Sequence, residues 1–270
     1  MNDPHIEAYH DFSFDDSLSG IPYPPWIGRG YTTTENRILI VPESIYDWNQ
    51  GSLISRGSLS KPCFVRHCVR EIGLYFSMNP PWAGSATQPL YRGIERLLWS
   101  EKLVTNEQKL ILWTSIAFHE FVQRPMENIK ARPKREDLAA GSEILSKVIA
   151  ILKPRLCVFL GTDSRKLAAL EQRFVGVKAR WSGRKINGAY PKTVSLDSVG
   201  MDCNIVMVKH PSARFSWNLW AEYLMENSAE IVSEFREQTV GSTKPPLRMP
   251  ASGTPVADAP VAPPPGIAGL

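Results

Sequence analysis

Three short runs in this 270-residue chain put titratable side chains just beyond apolar stretches. The first is Val208-Lys-His-Pro-Ser-Ala-Arg-Phe-Ser-Trp217, which follows Cys203-Asn-Ile-Val-Met-Val208. That apolar run is short and rich in branched residues, so it reads as a buried strand. A strand ending in His-Pro-Ser sets an imidazole at the carboxyl edge of a sheet, where open α/β folds bind ligands. Pro211 fixes φ and has no N–H to extend the ladder, so His210 is held at a corner. The second run is Pro42-Glu43-Ser44-Ile-Tyr46 and the third Phe118-His119-Glu120. An imidazole and a carboxylate at converging strand ends can move protons and stabilise charge on a leaving group. Taken singly, a His-Pro-Ser is a turn, and Glu43 a loop acid.

The elements that must carry these residues follow from hydrophobic periodicity. Arg37-Ile-Leu-Ile-Val41 is a first strand, stopped by Pro42. Pro62 to Leu74 and Pro89 to Glu101 read as helices, the first with proline near its start. Lys109 to Phe118 is too apolar for a surface strand and is predicted as a second buried strand. From Arg135 to Leu152, Leu138, Ile144, Leu145, Val148, Ile149 and Leu152 fall on one stripe of a long helix. Pro154 stops it, and Leu156 to Leu160 forms a third strand closing on Gly161. A helix from about Asp163 to Phe174, a basic loop, the strand into His210 and a helix from Ser216 to Gln238 complete the order. Apolar runs alternating with helices predict a three-layer α/β/α domain around a central, mainly parallel four-stranded sheet. Residues 1–36 are expected to form an irregular extension, and the Pro- and Ala-rich residues 239–270 a disordered tail. No internal repeat is present.

Composition excludes several classes. No run of about 18 apolar residues exists, so no membrane span is expected. The acidic, aromatic N-terminus fits neither a signal nor a transit peptide, which makes the cytoplasm the default location. Cys63, Cys68, Cys157 and Cys203 are widely spaced and read as reduced thiols rather than a metal set. The net charge is only +4, but Arg173 to Lys192 carries six basic residues and no acid. Such a loop suits a polyanion, although a solvated basic face would look the same.

Taken in order, these strand ends resemble the uracil-DNA glycosylase superfamily. In that family the first strand ends in a motif such as Gly-Gln-Asp-Pro-Tyr or Gly-Glu-Ala-Pro-Gly, and the last in His-Pro-Ser. Gly73-Leu-Tyr-Phe-Ser77 is similar to the segment whose Phe stacks on the extruded base. His119-Glu-Phe-Val-Gln-Arg124-Pro125 matches the Asn-Val-Val-Lys-Cys-Arg-Pro of the iron–sulfur branch at its last two positions, and Leu152-Lys-Pro to Leu160-Gly161 also fits. The resemblance spans roughly residues 37–236, within a glycosylase-like domain over 37–238. There are departures. Ser44 stands where the common branch has a catalytic Asp, His119 where it has the base-reading Asn, and Gln123 where the iron–sulfur branch has a cluster cysteine. No iron–sulfur centre or other cofactor is therefore expected.

The resemblance implies a DNA glycosylase whose specificity has moved away from uracil. Its chemistry passes through an oxocarbenium-like sugar and an anionic leaving base. Glu43 would supply negative charge or activate water, Ser44 would position that water, and His210 would donate to the departing base. Tyr46 or Phe76 would stack on the extruded base, and His119 would read its edge. Arg214 or Phe215 would fill the vacated stack, Ser212 would contact the DNA unless it serves only the turn, and Lys209, Arg184 and Lys185 would grip phosphates. Bland roles exist for each: His119, Phe76 and Phe215 also read as core residues. Glu120 is an alternative acid if it faces the cleft. A modified cytosine of phage DNA is one candidate base, which would make the chain an antiviral enzyme. The competing readings are a non-catalytic nucleic-acid-binding module on the same fold and a hydrolase of free nucleosides.

Overall fold

Strand-forming runs that bury both faces need helices on each side, and the chain supplies them. The structure is a computed structural model and describes residues 8–46, 62–76, 89–128 and 130–241. In chain order the strands are β1 (Trp26–Ile27), β2 (Ile38–Val41), β3 (Ser44–Tyr46), β4 (Ala117–Phe118) and β5 (Val122–Met126). They continue as β6 (Leu156–Leu160), β7 (Arg180–Trp181), β8 (Lys192–Ser195) and β9 (Asn204–Val208). The helices are α1 (Phe64–Cys68), continued by a π-helical stretch Val69–Phe76, then α2 (Pro89–Trp99), α3 (Asn106–Ser115), α4 (Arg135–Leu152), α5 (Ser164–Arg173) and α6 (Trp217–Gly241).

The main sheet has the order β1-β4-β2-β6-β9-β8-β7, with β3 and β5 forming a separate parallel pair. Its four middle strands, β4, β2, β6 and β9, run parallel. The expected four-stranded sheet thus corresponds to the middle of a larger, mixed one. It is extended by antiparallel β1 at one edge and by antiparallel β8 and then β7 at the other. Side chains alternate across it as pleating requires. Ile38, Ile40, Val158, Val206 and Val208 join the layer of α2, α3 and α6. Leu39, Val41, Cys157, Phe159, Ile205 and Met207 join that of α4 and α5.

Two expectations need correction. Residues 109–115 are not a strand but most of α3, and only Ala117–Phe118 joins the sheet. Thr105 accepts from the Gln108 backbone while the Gln108 side chain accepts from Thr105, a reciprocal cap that fixes a helix start despite the apolar run behind it. The basic loop after α5 is partly ordered as the β7–β8 pair. The N-terminal stretch supplies β1 and buries Trp26, Ile27 and Tyr31. It is held to α1 where Arg66 donates twice to Asp15, at 2.6 and 3.0 Å. Among the described residues no helix is long and apolar enough to cross a membrane. The tail expected over 239–270 lies outside the described residues, apart from the last turn of α6.

Candidate active site at the carboxyl edge of the sheet

Parallel strands deliver their ends to one edge, and here the chains leaving β2 and β4 are zipped together. His119 donates its backbone N–H to Ile40 (2.9 Å), Phe121 to Pro42 (3.0 Å) and Val122 to Glu43 (2.9 Å). Ser44 then pairs with Val122 in the small sheet. These bonds set Glu43 and Glu120 in one another's field: the Glu43 charge helps push the Glu120 acid up.

Glu43 forms an ion pair with Lys166, a residue that sequence reasoning missed. Lys166 sits in the first turn of α5, its side chain 4 % exposed against 17 % for Glu43. Its ammonium also lies 5.8 Å from the centre of the Phe159 ring. Gly161, with φ +128°, leaves the space that the amine occupies; a side chain there would strike Lys166. Gly161 was the only sequence signal for this contact.

Burial drives the other titratable groups towards neutrality. The Glu120 acid is raised to about 8, first by burial and then by Glu43, so it is protonated at neutral pH. Its Oε2 has no hydrogen-bond partner among the described residues. His119 is fully buried, and neither ring nitrogen has a partner there. Burial lowers its pKa to about 3. The ring is closed off from solvent, so it can meet a base edge only if neighbouring side chains move. The Ser44 hydroxyl is likewise buried and unpartnered among the described residues.

His210 is different. Its Nδ1 accepts the Ser212 backbone N–H at 3.3 Å. Burial, then the Lys166 cation, lower its pKa to about 4 against an opposing pull from Glu43. The ring is therefore neutral at physiological pH, and the bond to Nδ1 assigns the proton to Nε2. That leaves one donor, neutral and fixed in direction.

The turn beyond His210 is braced from α2. Gly93 faces Pro211 so closely that a side chain at 93 would collide with the proline ring. Arg214 stands exposed at φ 45°, a left-handed backbone uncommon for any residue but glycine. Phe215 instead packs inward, stacked on Trp220 with centroids 6.4 Å apart and planes within 2°. Of the two expected wedges, Arg214 is the one that projects. Ser212 is exposed. Lys209 donates to the Asn187 carbonyl at 2.7 Å, Arg184 is paired with Glu226 at 2.6 Å, and Lys185 lies over the Tyr190 ring at 4.9 Å. Tyr46 and Phe76 end β3 and the π-helical stretch, but their side chains lie outside the described part.

A cleft of about 180 Å³ runs between α2 and the turn, lined by Arg92, Arg96, Pro211, Phe215 and Trp217 among others. Burial and the Arg92 charge both lower the Arg96 pKa, the mark of two like charges held together. Such a seat favours an anion. Among the described residues no group of three or more His, Cys, Asp or Glu is placed to hold a metal ion.

The family model described as the uracil DNA glycosylase superfamily matches residues 71–231. That span is more than half of the chain and takes in His119, Lys166 and His210, while Glu43 and Ser44 lie ahead of it. No curated protein matches the chain. On the extent of this match, the chain belongs to the uracil-DNA glycosylase superfamily.

Proposed function

We propose that this protein is a DNA glycosylase that extrudes a modified or damaged base and hydrolyses its N-glycosidic bond, leaving an abasic site. The observation that carries the reading is His210: a neutral imidazole with its proton on Nε2, at the carboxyl edge, within the field of an ion-paired acid. As the bond breaks, negative charge grows on the base and positive charge on the sugar. The Nε2–H meets the first by a hydrogen bond that needs no proton to be lost. Glu43 supplies negative charge for the second or orients the attacking water. Arg214 fills the gap left by the extruded nucleotide, and the Arg92–Arg96 cleft seats a backbone phosphate beside the turn. Extrusion is needed because stacking hides the glycosidic bond in a duplex.

The substitutions at Ser44 and His119 favour a base other than uracil, with modified cytosine as one candidate. The test is base release from DNAs bearing uracil, hypoxanthine, or unmodified, methylated, hydroxymethylated or glucosylated cytosine, scored as alkali-labile sites. Release from one member is expected, falling about 10²–10³-fold in His210→Ala, the usual cost of losing one preorganised donor. Glu43→Gln is expected to abolish release with binding retained. Release from the hydroxymethylated or glucosylated member would support an antiviral role. The sealed ring of His119 and the locking of Glu43 by Lys166 favour a second reading, a non-catalytic DNA-binding module. Silence across the panel with DNA binding intact would select it.

A further inference from the structure

The β7–β8 hairpin carries an exposed aromatic pair in a basic setting, and neither the fold nor the proposed chemistry needs it. Trp181 is 53 % exposed and Tyr190 44 %, the only large aromatics so open among the described residues. Their rings meet edge to face, with centroids 6.5 Å apart. Lys192, directly across the ladder from Trp181, holds its ammonium 4.4 Å from the indole centre. That ammonium is itself anchored to the Thr162 carbonyl at 2.6 Å, so the half-exposed indole rests on a fixed cation. Lys178, Arg180, Arg184 and Lys185 are exposed around the pair. Exposed aromatics cost solubility, and a pair propped in this way has a use only if something covers it.

The hairpin is placed to work with the His210 turn. Lys192 pairs with Met207, and β8 runs antiparallel to β9, so residues 182–191 extend past Val208 to the level of His210. The tip is a two-residue connection, Asn187-Gly188, with both residues at positive φ and Ile186 and Ala189 exchanging hydrogen bonds across it. Asn187 is tied to the turn: its carbonyl accepts from Lys209, its Nδ2 donates to Ser216 Oγ at 2.8 Å, and its Oδ1 accepts from the Ser216 N–H at 3.0 Å. A strand of DNA seated on the turn would therefore run onto the aromatic pair.

We propose that Trp181 and Tyr190 form a stacking platform for unpaired bases flanking the extruded nucleotide, so that the protein engages single-stranded DNA in preference to duplex. The inference rests on the reading of the chain as acting on DNA. Cations over a strand's phosphates and aromatic faces under its bases are the pair of features that single-strand recognition needs. In a duplex both faces of each base are already stacked, and the platform is idle.

The test is fluorescence anisotropy with a labelled single-stranded 20-mer of dT and a matched duplex, on the full chain. The wild type is expected to prefer the single strand. Trp181→Ala should weaken that complex about tenfold. Trp181→Ala/Tyr190→Ala should weaken it further, with duplex binding changed less than twofold in both. Trp181→Phe, which keeps a flat face, should restore most of the loss, which separates stacking from damage to the hairpin. The proposal is overturned if Trp181→Ala leaves single-strand affinity within twofold, or if single strand and duplex weaken together. A wild type that binds neither DNA overturns the DNA reading itself, and the platform with it.

Discussion

The carboxyl edge of the sheet has two halves built on opposite terms. Where β2 and β4 end, Glu120, His119 and Ser44 are buried beside the half-buried Glu43, and each of the three holds side-chain atoms with no partner among the described residues. Where β9 ends, polar groups are paired: His210 with Ser212, Lys209 with Asn187, Ser216 with Asn187, while Arg214 reaches into solvent. Burying a polar group without a partner costs about 1–3 kcal/mol, so three of them side by side mark a place shaped for something other than stability. The two halves meet at the Glu43–Lys166 pair, whose charges act on His210 from one side and, through Glu43, on Glu120 from the other. One half is dry and nearly neutral; the other is wet, basic and pinned by hydrogen bonds. Bond breaking suits the first and grip on a polymer suits the second.

The largest effect should come from cutting the join. Lys166→Met takes away the cation paired with Glu43 in a largely buried position, and removing one partner of such a pair costs about 3–5 kcal/mol. Urea unfolding should show this as a shift in midpoint at constant slope. Adding Glu43→Gln to Lys166→Met should recover most of the loss, because the acid whose cation was removed is then neutral. In Lys166→Met the His210 pKa should also rise, since the cation that helps depress it has been removed. Carbon-bound proton shifts of the imidazole against pH would read this directly. A single variant that unfolds like the wild type would show that the dry half is open to water, and the contrast would collapse.

How much of this was legible depended on how local the cause was. The bounds of α4 and β6 follow from the sequence to the residue, because a one-sided apolar stripe, Pro154 and a five-residue apolar run leave few alternatives. The strand predicted over 109–118 is mostly helix because the Thr105/Gln108 cap four residues earlier outweighs the apolar content of the run. The β7–β8 hairpin is masked by its charge: six basic residues suggest a loop, although Asn187-Gly188 is a strong turn signal. His210 was visible as the corner of a strand. Lys166 was not, for its partner is far away in sequence and only tertiary folding brings them together. The neutral state of Glu120 was equally hidden: a carboxyl beside a histidine gives no sign of the burial that protonates it.

Glu120 offers a smaller, pH-dependent test of the dry half. Its acid is raised in the folded protein to about 8, from an ordinary value near 4.5. Below pH 4.5 it is protonated whether the chain is folded or not, and it contributes no pH dependence. Between 4.5 and 8 the unfolded chain gives up this proton while the folded one keeps it, so the group's contribution to stability falls as pH rises and levels off above 8. The slope is at most about 1.4 kcal/mol per pH unit for one proton. Glu120→Gln should remove this slope and gain on the wild type progressively from pH 5 to pH 8. Parallel stability curves for the two proteins across that range would mean that Glu120 ionises freely and that its surroundings are wet.

The smallest effect separates charge from structure in the wet half. Arg184 and Glu226 are paired at 2.6 Å, but each side chain is about half exposed, and pairs of that kind contribute little. Glu226→Gln should therefore move stability by less than about 0.5 kcal/mol. Its consequence should appear in DNA binding, where Arg184, released from its acid, becomes available to a phosphate. The plot of log affinity against log salt should then steepen by roughly 0.7–0.9, the increment for one further phosphate neutralised. Arg184→Ala should leave the wild-type slope almost unchanged, because in the wild type that guanidinium is already occupied. If Arg184→Ala flattens the slope instead, the pair opens on DNA, and the basic half re-forms its contacts around the polymer rather than presenting them ready-made.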